Sequence, residues 1–163
     1  MTRTIRDATP ADAAAISRIY NFYVTTSTCT YALEEETLDE RRAWLAAHGP
    51  QHPVLVVEES GEVVAWGSHS TYNARAGYAR TVEDSIYVRD DRRGTGIGRV
   101  LLSALIERAR ALGHHTIIAG ASADQDASIA LHVAHGFVEV ARLREVGRKF
   151  DRWLDVVYLQ KML

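Results

Sequence analysis

The chain of 163 residues carries a formal net charge of −2, with 47% hydrophobic and 25% charged residues, 11 Gly, 3 Pro and one Cys. One domain over residues 1–163 suits this length, since single cores run to about 100–200 residues and such a chain buries roughly 70% of its unfolded surface, enough to fold without disulfide or metal. The composition excludes collagen-like, disordered and low-complexity classes, and 19 basic against 21 acidic residues leave no bulk charge for nucleic acid.

No apolar run approaches the length of a membrane span, and the start Met1-Thr2-Arg3-Thr4-Ile5-Arg6-Asp7 lacks the apolar core of a signal peptide. Cys29 alone can form neither an internal disulfide nor a CxxC zinc site, which fits a reducing, cytoplasmic setting. No role is assigned to Cys29.

In chain order, Ile5 and Arg6 open a short first strand. Thr9-Pro10-Ala11-Asp12 is a helix start, with Thr9 as N-cap, Pro10 in the first helical position and Asp12 reaching back. Ile16, Ile19, Tyr20 and Tyr23 form the apolar stripe of that helix, and Thr25-Thr26-Ser27-Thr28 breaks it. Thr37-Leu38-Asp39-Glu40 is a second capping box, opening a helix that Gly49-Pro50 ends. Val54–Val57 and Val63–Gly67, joined at Ser60-Gly61, form an antiparallel hairpin. Tyr72 to Ala79 has no period and is a loop. Thr81–Val88 is a strand, and a glycine loop and a helix to about Leu112 follow, with Gly113 in the C′ position. Thr116–Ala119 is a buried strand. Asp126 starts a short helix ending before Gly136, and Phe137–Arg142 and Leu154–Leu159 close the chain as strands. The order β-α-α-β-β-β-α-β-α-β-β is mixed α/β, with hairpins early and a βαβ crossover in the second half.

Arg92-Arg93-Gly94-Thr95-Gly96-Ile97-Gly98-Arg99 is the most informative stretch. Alternating glycines ahead of an amphipathic helix free backbone N–H groups for an anion, the helix N-terminus adds partial positive charge, and Arg89, Arg92, Arg93 and Arg99 add formal charge. A phosphate or pyrophosphate is the natural ligand; a tight turn needing φ > 0 is the plainer reading. A Walker A loop is excluded because no Lys is near, and the G-x-G-x-G spacing in mid-chain is not the dinucleotide fingerprint of a first βα turn.

Arg93-x-x-Gly96-x-Gly98, after a strand and before a long helix, resembles the acetyl-CoA signature of the GNAT N-acetyltransferases. Thr81-Val82-Glu83-Asp84-Ser85-Ile86-Tyr87-Val88, Ile19-Tyr20-Asn21, Ser128-Ile129-x-Leu131-His132 and Gly147-Arg148-Lys149-Phe150-x-Arg152-Trp153-x-Asp155 resemble its phosphinothricin and methionine sulfoximine branch. The resemblance runs from residue 5 to 162. It implies a central, mixed, mostly antiparallel sheet of six to seven strands flanked by about four helices. The fourth strand, ending at Val88, and the fifth, Thr116 to Ala121, should splay into a wedge for the pantetheine arm of acetyl-CoA. Backbone groups of Ile86, Tyr87 and Val88 should bond the pantetheine amides as an added strand would, and N–H groups of Gly94, Thr95, Gly96, Ile97, Gly98 and Arg99, aided by Arg93, should hold the pyrophosphate. Gln125 stands where relatives carry an Asn on the cofactor.

The reaction implied is acetyl transfer to a primary amine. The amine must lose a proton, the oxyanion needs a donor and the departing thiolate needs a proton. By resemblance Glu83 is the base, the Val88 N–H the oxyanion donor and His132 the acid; taken alone, Glu83 is an outward strand carboxylate and His132 a capping or core histidine. Burial should raise the pKa of Glu83. His114, His115 and His135 read as surface residues, and no histidine recommends itself as a metal ligand, so no metal is expected.

Tyr31, Asn73, Ala74, Arg75, Asp84 and Ser85, with Glu83, are the candidate acceptor residues, Arg75 being suited to a carboxylate and Tyr78 to walling the pocket. Trp153 and Asp155 close the site or serve the core. The acceptor implied is the α-amine of a small amino acid or analogue of the phosphinothricin, methionine sulfoximine or methionine sulfone type, handled by a homodimer without nucleic acid or membrane. A peptide N-terminus as acceptor and a non-catalytic acyl-CoA-binding module are the alternatives.

Overall fold

The computed structural model describes residues 2–163, so Met1, the first residue of the expected domain, lies outside the described residues. Seven strands form one sheet in the order β1-β2-β3-β4-β5-β7-β6. They are β1 (Arg3–Asp7), β2 (Val54–Glu59), β3 (Glu62–Thr71), β4 (Thr81–Val88), β5 (Thr116–Ser122), β6 (Val138–Lys149) and β7 (Arg152–Met162). The helices are α1 (Ala13–Thr26), α2 (Leu38–Ala47), α3 (Ile97–Ala111) and α4 (Asp126–Ala134). Only β4 and β5 pair in parallel, joined through α3; every other pairing is antiparallel.

Local chemistry sets most boundaries. Asp12 Oδ2 accepts from the Thr9 N–H at 2.7 Å, and Pro10–Asp12 form a short 3-10 turn before α1. At α2 the Glu40 N–H donates to Thr37 Oγ1 at 3.2 Å and Glu40 Oε2 accepts from the Thr37 N–H at 2.7 Å, closing both halves of the box. Gly113 has φ +79°, which only a residue without Cβ takes cheaply after α3.

The sheet is covered on both faces. Val54, Val56 and Trp66 meet Ile16, Ile19 and Tyr23 of α1 on one side. Leu55, Val57 and Ala65 meet Ile97, Leu101 and Leu105 of α3 on the other. Alternation along β4 splits its side chains the same way: Val82 and Ile86 pack with the α3 clusters, whereas Tyr87 packs with α1. His114, read from sequence as a surface residue, is instead buried, its Nε2 donating to the Gln51 carbonyl at 2.7 Å.

The last two strands run well beyond the sequence expectation. The Gly147-to-Trp153 block is the tip of the β6–β7 hairpin, closed by Phe150 and Asp151 at φ 52° and 58°. This tip is clipped to the segment after α1. Lys149 Nζ is buried and donates to the carbonyls of Ser27 at 2.6 Å and Thr30 at 2.7 Å. Tyr31 lies over Gly147 with its hydroxyl 2.8 Å from Ser122 Oγ. A Cβ at Gly147 would run into the Tyr31 ring. Gly147→Ala is therefore expected to destabilise the protein by about 1–3 kcal/mol, seen as a lowered urea midpoint with an unchanged slope.

Candidate active site

The pairing of β4 with β5 stops after Thr81↔Thr116, Val82↔Ile117 and Glu83↔Ile118. Beyond it β5 stays with β7 as far as Ser122, and β4 stays with β3 as far as Val88. A gap therefore opens within the sheet. The Arg89 N–H donates to the Val64 carbonyl at 2.8 Å, in register with the Ala65↔Val88 pair, so odd-numbered residues of β4 direct their backbone groups at β3. The backbone groups of Ile86 and Val88 and the Asp84 carbonyl face the gap. Tyr87 is corrected here: its backbone is spent on Trp66 of β3, and it meets the cavity through its side chain. At the mouth, the Tyr23 hydroxyl donates to the Val88 carbonyl.

The gap continues into a cavity of about 440 Å³ that reaches from Asp84, Ile86 and Val88 to Gly94, Gly96 and Arg99. Gly96 caps α3 with φ +85° and Gly94 has φ +72°. The Val100 N–H already bonds to the Gly96 carbonyl, so the N–H groups of Ile97, Gly98 and Arg99 are the open ones of the first turn. A Cβ at Gly98 would stand 3.3 Å from Leu131 Cδ2, so this glycine seats α3 closely on α4. Unpaired strand backbone at one end and a glycine-capped helix N-terminus at the other suit an extended amide-bearing ligand with a phosphate group.

The arginines contribute less than the sequence suggests. Arg89 is paired with Asp91 at 2.6 Å and Glu62 at 3.1 Å, and Arg92 with Asp91 at 3.0 Å and Glu59 at 3.4 Å. Arg93 lines the cavity and bonds Asp90 at 2.5 Å. Arg99 has no ion-pair partner among the described residues. Thr95 does not line the cavity through its hydroxyl, which donates to the Arg92 carbonyl at 2.7 Å. Gln125 lines the cavity, but its Nε2 donates to Thr28 Oγ1 at 2.8 Å and so also anchors the segment after α1. Cys29 is part of the same wall, and burial pushes its thiol pKa up.

Glu83 and Asp84, expected together at the acceptor, lie on opposite faces of β4 because successive strand residues alternate. Asp84 turns to the α3–α4 side and its Oδ2 lies 2.8 Å from His132 Nε2, with both side chains buried. This corrects its assignment to acceptor binding: it is held in the wall of the cofactor-sized cavity. His132 Nδ1 donates to the Ser128 carbonyl at 2.7 Å. Burial disfavours the charged imidazole, but the charge and hydrogen bond of Asp84, with the Ser128 carbonyl, outweigh it and raise the pKa. Glu83 turns to the α1–α2 side, opposite Ser70. Burial, reinforced by the neighbouring Asp84 charge, raises its pKa.

On the Glu83 side a second cavity, of about 370 Å³, lies between α2 and the sheet. Ser85 and Tyr87 wall both cavities, so the two meet across β4. Tyr31 is a tie to Ser122 and the Asp155 carbonyl and walls neither cavity. Asn73, Ala74 and Arg75 are exposed in the β3–β4 loop, where Asn73 Oδ1 accepts from the Arg75 N–H at 3.0 Å. Trp153 is exposed under Arg148, and Asp155 Oδ1 accepts from the Glu145 N–H at 2.9 Å. A larger cavity of about 540 Å³ beside the end of α2 touches neither β4 nor the glycine loop, and its Arg108 is paired with Asp7. Among the described residues no group of three His, Cys, Asp or Glu is placed to hold a metal, and no helix is long and apolar enough to cross a membrane.

Comparison with known proteins agrees with this geometry. Residues 5–158 match the family model described as an acetyltransferase (GNAT) domain. The chain is 43% identical over 162 residues to the L-methionine sulfoximine/L-methionine sulfone acetyltransferase of Pseudomonas paraeruginosa, covering 98% of this chain and 94% of that one. It superimposes with a TM-score of 0.96 on an acetyltransferase from Salmonella typhimurium solved with its cofactor acetyl-CoA, at 41% identity and covering 100% and 95% of the two chains. A structure from Brucella melitensis described as a ribosomal-protein-alanine N-acetyltransferase gives a TM-score of 0.95 at 42% identity over 98% and 99%. The chain belongs to the GNAT acetyltransferase family.

Two outcomes follow from the site. Gly96→Val forces a β-branched residue to positive φ where the backbone must stay open, and is expected to abolish acetyl-CoA binding by calorimetry. Because the folded His132 pKa is raised, the Asp84–His132 pair stabilises fully below His132's ordinary pKa of 6.5 and loses that contribution as pH rises through the folded value. Asp84→Asn is therefore expected to cost about 3 kcal/mol at mildly acidic pH and less at alkaline pH, and to lower the His132 pKa in an NMR titration.

Proposed function

We propose that this protein is an acetyl-CoA-dependent N-acetyltransferase acting on the α-amine of a small amino acid or analogue of the methionine sulfone, methionine sulfoximine or phosphinothricin type. The observation that supports the reading is Glu83, a half-buried carboxyl with a raised pKa at the last paired position of β4 and β5, two residues before Ser85, where the two cavities meet. Acetyl-CoA would supply an activated acetyl thioester. The unpaired backbone of Ile86 would hold its amide-bearing arm, and the N–H groups from Gly94 to Arg99 its pyrophosphate.

In the chemistry, Glu83 takes a proton from the acceptor ammonium, directly or through water, and frees the amine for direct attack in a ternary complex. The Val88 N–H faces the gap and donates to the oxygen on which negative charge grows. His132 is the proton source for the leaving sulfur, releasing the Nε2 proton that Asp84 holds. Arg75, without an ion-pair partner among the described residues, is placed to grip an acceptor carboxylate from the loop before β4.

A second copy of the chain is the expected partner. Val138, Val140, Leu143, Val146, Phe150 and Trp153 leave the β6–β7 hairpin with exposed apolar side chains suited to a symmetric contact. The cytoplasm, which supplies acetyl-CoA, is the compartment this reading implies. The Brucella structure's description favours a second reading, a peptide N-terminus as acceptor.

A thiol-release assay over a panel of free amino acids and short peptides tests the proposal. Turnover on methionine sulfone or sulfoximine is expected; turnover on peptides alone would establish the second reading, and acetyl-CoA binding without turnover on any amine a binding module. Glu83→Gln is expected to lower kcat by about 10²–10⁴-fold near neutral pH, to remove the acidic limb of the pH–rate profile and to leave the acetyl-CoA Kd unchanged.

A further inference from the structure

The cavity between α2 and the sheet contains buried polar atoms that the protein leaves unsatisfied. Ser68 is 1% exposed and Trp66 2% exposed, and neither Ser68 Oγ nor Trp66 Nε1 has a hydrogen-bond partner among the described residues. Both residues line this cavity. Orphaned buried donors cost free energy, and such groups in a folded protein normally have a partner. Here two such atoms belong to residues that wall one space of about 370 Å³.

The rest of the cavity shows what the missing partner is. Ser70 and Ser85 bring further hydroxyls. Arg41, 4% exposed, is clamped by Glu36 through Nε and Nη2. Its guanidinium lies 4.3 Å from the Trp44 ring centroid, 4.7 Å from that of Tyr20 and 5.0 Å from that of Trp66. Nη1 has no protein acceptor among the described residues, so it adds a donor, while Glu36 cancels the charge. Glu40 also lines the space, but its Oε2 is held by the Thr37 N–H at the start of α2. A donor-rich space with aromatic walls, whose carboxylates are already engaged, suits an apolar stem ending in hydrogen-bond-accepting oxygens. It does not suit a hydrocarbon tip, which would leave the donors unpaired, or an ammonium, which brings only more donors.

The position relative to the chemistry is also fixed. Ser70 is the cross-strand partner of Glu83, so their Cβ atoms lie within about 4.5–5.5 Å. An acceptor whose amine meets Glu83 thus has this cavity beside it. We propose that the cavity is the subsite for the acceptor's side chain, and that Ser68 and Trp66 select side chains ending in S=O or P=O oxygens. This rests on the reading that the acceptor is a free amino acid.

The test is the ratio of kcat/KM for methionine sulfone to that for norleucine, an acceptor with a side chain of the same length and no side-chain oxygens, in wild type, Ser68→Ala and Trp66→Phe. The wild type is expected to prefer the sulfone, and each variant to lower the ratio about tenfold, mainly through the KM for the sulfone. The acetyl-CoA Kd should not move, and Ser68→Thr should restore part of the ratio. A merely structural role would depress both acceptors together and leave the ratio unchanged. That result, or a wild type without preference for the sulfone, overturns the subsite while leaving amino-acid acetylation intact. A wild type that acetylates peptides but no free amino acid overturns both. If Trp66→Phe does not fold, Ser68→Ala removes a single oxygen and decides the question by itself.

Discussion

The three-residue limit on pairing between β4 and β5 is the constraint from which the site follows. A sheet interior normally spends every backbone donor and acceptor on its neighbours, because an unpaired buried amide is costly. Here β5 leaves with β7 while β4 leaves with β3, and each is held by full antiparallel pairing on its outer side. The protein thereby keeps one unpaired strand edge inside its own sheet. Tyr23 at the Val88 carbonyl and the close seating of Gly98 on Leu131 hold the far end of that edge against α1 and α4. A ligand with amide groups would complete the ladder under the proposed function, with its charged end at the glycine-capped start of α3.

Alternation along β4 then divides the chemistry between two compartments. Asp84, Ile86 and Val88 line only the cavity that reaches the glycine loop, whereas Ser85 and Tyr87 also wall the one under α2, the face to which Glu83 turns. The same two-residue period explains why adjacent carboxyls have different roles. Asp84 is neutralised by His132, whereas Glu83 is left without an ion-pair partner among the described residues and feels burial and its neighbour's charge as an upward pKa shift. A carboxyl with a raised pKa and a buried carboxylate–imidazole pair are thus separated by the thickness of one strand.

The C-terminal hairpin sets the shape of the entrance. Lys149 donates to the carbonyls of Ser27 and Thr30, and Tyr31 closes over Gly147. These contacts fix the segment between α1 and α2, which carries Cys29 into the cavity wall and Thr28 onto Gln125. A block more than a hundred residues away in sequence therefore shapes the site without supplying a reacting group.

Much of this was legible in the residues themselves. The β4 boundaries, both capping boxes, the glycine turn before α3 and the C′ Gly113 are local, and each follows from side-chain reach or the φ that a residue tolerates. The whole-chain motifs identified the family. Other features were not legible, because each depends on residues brought together from distant segments. The Asp84–His132 pair joins β4 to α4, and the loss of Arg89 and Arg92 to Asp91, Glu62 and Glu59 joins the glycine loop to the β2–β3 hairpin. Arg41 sits in a helix whose sequence looks solvated, yet it is buried under three aromatic rings. The sequence by itself determined the elements and the chemistry available, since these are set by spacing and residue type. Which carboxyl is paired, which backbone edge is open and which donors lack a partner were decided by tertiary structure, because burial and hydrogen-bond satisfaction exist only once distant segments share one space.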